Sequence, residues 1–392
     1  MSVKRNIKLL AWFNFFSDFR LYSAIMVIYF QTILESYALA MLVFSITMVS
    51  SSIFEIPTGI FSDFIGRKKT MVLGAFCSTI SVILYALGGN FFFLAAGGIF
   101  EGLTRSFYSG NNTALLYDSL REMKKISLFD EMMGKTSAMF QLALAISAIL
   151  GSLIAGYSLN LAIWISVIPQ FISFIISFFI TDPYLYLKKS SNVFMHLKEA
   201  FRNFLKNKKL RLLSIISMFS FAVGESLFQF QAAFYKTLWP IWALGIPKIL
   251  SFGFGFLSFW FSSRVFKKIG PIKALMTGTL GGGFINISAA FLSNAFSPIL
   301  MSFSSFFYGT DQTAKSTLMQ REFSQKQRAT MDSLNTFLGS LFFGVISILI
   351  GYFADEFSPQ SAIIIGEILL LPLLIIHFKL LRMEKRGLKI KQ

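Results

Sequence analysis

Long apolar runs, broken at short intervals by charge or by Gly, Pro and Asn, constrain this chain more than any other feature. Twelve such runs can be drawn, at approximately 7–33, 39–60, 70–89, 91–117, 134–158, 160–181, 211–235, 239–262, 273–293, 295–318, 331–354 and 360–381. A helix of about 20 apolar residues crosses the hydrocarbon core of a bilayer. In lipid a spanning backbone must satisfy its own hydrogen bonds, which favours helices for runs of this kind. With 55% hydrophobic and 14% charged residues, against about 25% charged in soluble domains, a chain of this length has too much apolar surface to hide from water. The expected fold class is therefore an all-α membrane protein with twelve transmembrane helices in two pseudo-symmetric six-helix bundles. Residues 1–181 form the first bundle, 182–210 a cytoplasmic linker, and 211–392 the second bundle and a basic cytoplasmic tail. The run beginning at Ile7 is too long for a secretory leader and reads as an uncleaved first span.

Charge placement orients the spans. The net charge of +17 could suggest a nucleic-acid partner, but the cations sit in short clusters between apolar runs, which is the pattern of membrane orientation. With Met1 in the cytoplasm, 32 of the 36 Lys and Arg fall in the N-terminus, the same-side loops, the central linker and the tail. The remainder are Arg20, Arg105, Lys236 and Lys248. This asymmetry places a multi-pass protein in a bacterial-type plasma membrane with both termini cytoplasmic. In the linker, Phe194, Leu197, Phe201, Phe204 and Leu205 recur at helical spacing, as in a helix lying on the membrane surface. The single cysteine, Cys77, and the widely separated His196 and His377 offer no disulfide or metal framework.

The second half echoes the first at a constant offset of 200 residues. Phe107-Tyr108 matches Phe307-Tyr308, Thr113-Ala114 matches Thr313-Ala314, Arg121-Glu122 matches Arg321-Glu322, and Gly151 matches Gly351. Six spans separate the copies, so both halves keep the same orientation. Transporters built on such parallel repeats place their site near the midplane between the halves.

Between the second and third runs stands Pro57-Thr-Gly59-Ile-Phe-Ser-Asp63-Phe-Ile-Gly66-Arg67-Lys68-Lys69. This resembles the loop signature of the major facilitator superfamily: a Gly, an Asp four residues on, then Gly-Arg-Lys. The resemblance implies alternating access, with Gly59, Asp63, Gly66, Arg67 and Lys68 serving as a conformational latch on the cytoplasmic side. The second copy, Trp260 to Gly270, has Ser263 where the acid would stand and keeps only the cations. The segment Leu103-Thr-Arg105-Ser-Phe-Tyr-Ser-Gly110 departs from the exporters' Arg-x-x-x-Gly element by one residue. Ile149 to Gly156 has glycines where exporters carry Gly-Pro. The run Ser109 to Leu120 is instead similar to a bacterial branch with drug-efflux members.

Charges inside apolar runs are the remaining functional candidates. Each costs about 2.5–3.5 kcal/mol at a helix centre on insertion scales. Asp18, Glu101, Arg105 and Glu225 are candidates for proton coupling, and Asn14, Arg20, Gln229, Lys248 and Asp311 for the substrate cavity. Glu101 and Arg105 are four apart and can pair on one helix face. A neighbouring cation that moves during the cycle would load and release a proton. Asp18 and Arg20, two apart on a continuous helix, would point about 200° apart and need separate partners. Asn14, Asp18 and Tyr22 would form one polar stripe, and Glu225 and Gln229 would share a face. Phe15, Phe228 and Trp242 are the aromatics singled out for substrate contact. Glu367 is a further intramembrane acid.

These residues point to a proton-coupled exporter of small amphipathic compounds, with proton-coupled uptake or facilitated transport of a polar or anionic nutrient as the alternative. The expected partners are a small-molecule substrate, protons and the lipid bilayer. No nucleic acid and no cofactor is expected, and the chain is expected to act as a monomer. No clustered catalytic site and no Gly-x-x-x-x-Gly-Lys-Ser/Thr phosphate loop suggests an enzyme or a nucleotide-driven pump.

Overall fold

The computed structural model describes residues 3–183, 204, 207–322 and 328–389. Its helices are α1 (Asn6–Asp18), α2 (Met26–Leu34), α3 (Tyr37–Ile65), α4 (Arg67–Leu87), α5 (Phe91–Tyr108), α6 (Asn111–Glu122), α7 (Phe129–Ala155) and α8 (Leu159–Phe179). They continue as α9 (Lys208–Lys236), α10 (Gly245–Ile269), α11 (Pro271–Leu292), α12 (Ser297–Ser302), α13 (Ser305–Glu322), α14 (Arg328–Glu356), α15 (Pro359–Ile368) and α16 (Leu373–Lys389). The described residues contain no strand. The linker segment expected to form a surface helix lies almost wholly outside the described residues.

Nine of the described stretches are long and apolar enough to cross a membrane. The three expected runs missing from that set, 7–33, 91–117 and 295–318, are each built from two shorter helices. They are α1 with α2, α5 with α6, and α12 with α13. The expectation of continuous helices there is corrected: each of these runs is interrupted, and at the α1–α2 break a neighbouring helix takes up backbone groups that the break frees.

The break between α1 and α2 shows how. Gln170, fully buried on α8, donates from Nε2 to the carbonyls of Phe16 and Ser17, both at 3.2 Å. Leu21 N–H donates to Ser166 Oγ at 3.1 Å. On α7, Gly151 lies against the Leu21 carbonyl so closely that a Cβ would come within 1.7 Å of its oxygen. Any side chain at 151 would push α7 off the broken segment. The α5–α6 break turns on Gly110, whose φ of +67° favours glycine. The α15–α16 break ends at Pro372, which has no N–H to continue the ladder.

The chain divides into two compact units. The first comprises Met1–Glu35, Leu42–Ser190 and Pro240–Ile246; the second comprises Ser36–Met41, Ser191–Trp239 and Pro247–Gln392. The first unit has an apolar cluster around Leu10, Phe13, Met71, Leu115, Leu120 and Ile180. Asn6, fully buried, ties α1 to α6 and to the end of α8 by donating to Ser119 Oγ and the Thr181 carbonyl. The second unit has a matching cluster around Leu210, Leu213, Ile216, Leu275, Leu318 and Leu380. Both units enter their third long helix through a left-handed glycine, Gly66 (φ +93°) before α4 and Gly270 (φ +81°) before α11. In both, a glycine on that helix lets an aromatic of the repeat approach: Gly74 lies against Phe107 and Tyr108, and Gly281 against Phe307.

Candidate functional site

In the first unit the intramembrane charges converge on one carboxylate. Glu101, 8% exposed on α5, accepts from Arg20 Nη1 at 2.8 Å and Arg105 Nη2 at 2.9 Å. Its second oxygen accepts from the Tyr85 hydroxyl at 2.9 Å. The four-residue spacing of Glu101 and Arg105 on α5 produces the pair expected from the sequence. Arg20 arrives from elsewhere. It lies just past the end of α1, and its Nε donates back to the Ser17 carbonyl at 3.1 Å.

This overturns the helical-wheel argument for Asp18 and Arg20, because α1 stops at Asp18 and the two residues do not share a helix. The Asn14–Asp18–Tyr22 stripe is cut for the same reason, with Tyr22 falling in the break. Asn14 accepts from Asn112 Nδ2 at 3.3 Å. Among the described residues the Asp18 side chain makes no hydrogen bond or ion pair, although Arg20 and Arg105 both lie within electrostatic reach of it.

The second unit gathers its own polar set. On α9 Gln229 Nε2 donates to Glu225 Oε1 at 2.8 Å. From α10 the Lys248 ammonium lies 3.2 Å from the centre of the Phe228 ring and 6.0 Å from that of Phe252. A cation so placed is held by the ring's negative face. On α13 Asp311 pairs with Lys315 one turn on, and Tyr308 lies within electrostatic reach of both Glu225 and Asp311. The sequence places Lys315 among the cytoplasmic loop cations, and the structure corrects this. At 6% exposure it is an interior partner of Asp311 instead, because it lies within the run 295–318 and one helical turn sets its amine beside that carboxylate. Trp242 is not part of this set; it belongs to the first unit and packs over Gly156.

The loop signature builds a turn. Gly66 reverses the chain between α3 and α4, and the Asp182 carboxylate accepts from Lys68 N–H at 2.8 Å at the start of α4. Arg67 Nε donates to Asp118 Oδ2 at 2.7 Å, and Asn111 Nδ2 donates to the Arg67 carbonyl at 3.1 Å. Gly59 lies within α3 with open space around it. Asp63 is also in α3, and its side chain lies outside the described residues.

Residues 9–341 match the family model described as Major Facilitator Superfamily. The chain belongs to that superfamily. Its fold is the multi-pass helical fold of that superfamily. The structure is similar to that of a mutant of the nucleoside transporter NupG, with a TM-score of 0.80 over 97% of this chain and 100% of that one at 15% identity. At that identity the likeness speaks to the superfamily fold alone. Among curated relatives, an "Uncharacterized transporter" of Buchnera aphidicola subsp. Schizaphis graminum is 28% identical over 45% of this chain and 42% of its own length. "Multidrug resistance protein 2" of Bacillus subtilis is 26% identical over 47% of this chain and 46% of its own. The chain thus spans less than half the length of the curated relatives it matches.

Superfamily membership does not by itself reveal several residues that shape this site. Gln170 is the hub of the α1–α2 break, also accepting from Ser78 Oγ at 2.7 Å, and its only sequence signal is an amide after Pro169 in an apolar run. Tyr85, Asp118 and Asn286 have no local signal, since their partners are 16, 51 and 81 positions away on other helices; Lys315 has one, since it follows Asp311 by a single helical turn.

Proposed function

We propose that the chain is a proton-coupled secondary transporter that works by alternating access and exports small amphipathic compounds from a bacterial-type cell. The observation that carries this reading is the Arg20–Glu101–Arg105 triangle beside an unpaired Asp18. Two acids and two guanidinium groups share one region, yet both guanidinium groups sit on Glu101. That partition suits a protonated, neutral Asp18. When Asp18 releases its proton, a second anion appears within reach of Arg20 and Arg105 and competes for them. Arg20 sits at the break between α1 and α2, whereas Glu101 and Arg105 ride on α5. Repartition of the guanidinium groups therefore pulls the break relative to α5, which couples proton binding to movement.

Glu225 and Gln229, with Lys248, supply polar contacts from the second unit, and Asn14, Arg20 and Asp311 complete the proposed cavity set. Gly59, Asp63, Gly66, Arg67 and Lys68 act as the cytoplasmic latch, and the protein works as a monomer. Export is supported by the partial match to the Bacillus multidrug resistance protein.

A second reading, uptake of a polar or anionic solute, is favoured by Lys248. The Phe228 face that would attract a cationic drug is already covered by the chain's own ammonium. The deciding experiment is transport into inverted vesicles under an imposed proton gradient, across a panel of amphipathic cations and polar anions. Gradient-driven accumulation of the cations supports export. Accumulation of the anions alone, or transport indifferent to the gradient, rejects it.

A further inference from the structure

Glu367 lies on α15, in the second unit, and belongs to none of the polar sets above. It is 5% exposed. The helices packed against α15 are α9, α11 and α14. Their ionisable groups include Glu225 and Tyr235 on α9, Lys273 in the first turn of α11, and Tyr352 and Asp355 at the far end of α14. None of these reaches Glu367: among the described residues no cation lies within ion-pair distance of its carboxyl, and its one hydrogen-bond partner is an amide. Asn286 Nδ2 stands 2.6 Å from Glu367 Oε1. The other carboxyl oxygen faces Gly283, where a side chain would crowd it at 3.3 Å. Asn286, itself 9% exposed, leaves its Oδ1 buried and without a partner.

A carboxylate buried without a cation is the least stable form such a group can take, and one neutral amide does not offset the lost hydration. A neutral carboxylic acid is compatible with every contact present. The 2.6 Å separation is short for N–H···O and ordinary for O–H···O, and the two ends of an amide exchange places without changing its shape. We propose that Glu367 is a proton-binding site in the second unit: it holds a proton in this conformation, with the Asn286 amide as its hydrogen-bond partner. The use of this proton in transport rests on the proton-coupled reading above; its presence on Glu367 does not.

The test needs no substrate. The full chain in lipid nanodiscs at neutral pH is compared by infrared spectroscopy with Glu367→Gln and Asn286→Leu. The wild type is expected to show a carboxylic-acid carbonyl band that Glu367→Gln removes and Asn286→Leu shifts to higher frequency as the hydrogen bond is lost. Titration to alkaline pH is expected to release one proton fewer per chain from Glu367→Gln. If that variant does not fold, the frequency shift in Asn286→Leu decides alone. A carbonyl region unchanged by both substitutions overturns the assignment. A wild type that carries the Glu367 band but shows no gradient-driven transport overturns the proton-coupled reading and leaves this site standing.

Discussion

Replacing Glu101 with Gln removes the one negative charge from between two guanidinium groups, and the structure sets unequal costs for the two pairs. Arg20 is 15% exposed at its side chain and Arg105 41%. Removing one partner of a buried ion pair costs about 3–5 kcal/mol, because the other charge is left uncompensated. An exposed pair is worth about 0–1 kcal/mol, since water screens it. Glu101→Gln is therefore expected to destabilise the first unit by about 3–5 kcal/mol, nearly all of it through Arg20. Arg105→Gln should cost about 1 kcal/mol or less. Arg20→Gln should fall between, because Arg105 still neutralises the carboxylate it leaves behind. Unfolding titrations of the single and double variants in lipid nanodiscs give the two coupling energies directly. The Glu101–Arg20 coupling should exceed the Glu101–Arg105 coupling by about 2 kcal/mol or more. Equal couplings, or a larger one for Arg105, would refute the assignment of Arg20 as the partner that fixes Glu101. The same variant carries a functional expectation: Glu101→Gln abolishes the proton dependence of transport, and an unchanged pH response removes Glu101 from the coupling machinery.

The remaining expectations concern the breaks, the loop signature and the second unit's end. Gly151→Ala should exceed the usual overpacking cost of about 1–3 kcal/mol, because the new Cβ meets the backbone of Leu21 rather than a movable side chain. Gly224→Ala, with open space around it, is the control, and equal stability of the two variants rejects the close-approach argument. Gln170→Leu leaves two carbonyls and the Ser78 hydroxyl without their partner; at about 1–3 kcal/mol per unsatisfied group the three amount to about 3–9 kcal/mol, read as a lowered unfolding midpoint. Asp63→Asn should lower turnover while substrate binding persists, and full turnover counts against the latch. Burial works against the charge of Glu322, but Lys209 and Asn207 outweigh it and hold the carboxyl below its usual range. Its contribution, about 1 kcal/mol or less for so exposed a pair, is therefore complete above the ordinary carboxylate range. It fades as pH falls through the lowered native value, so Glu322→Gln should flatten that part of the acid unfolding curve.

The sequence by itself settled the membrane class, the helical content and the family. Hydropathy and charge placement act over local windows, and the signature from Gly59 to Lys69 is contiguous. It also found the carboxyl at the heart of the first unit, because Glu101 and Arg105 lie one helical turn apart. Likewise Glu225 and Gln229 share a turn of α9 and meet through a hydrogen bond. Only the tertiary structure decided who else comes to Glu101. Arg20 is 81 positions away in the chain, and it reaches the acid because α1 stops at Asp18. That stop is written on neither α1 nor α2: it depends on Gln170 and Ser166 of α8 bonding to the loose backbone, and on Gly151 of α7 making room. Lys315 escapes the sequence for a related reason, since counting cations by side does not show that the helices around α13 bury its amine against Asp311. An apolar run records that a segment can lie in lipid. Where it breaks, and which charges meet there, is fixed by the polar groups that neighbouring helices offer to the exposed backbone.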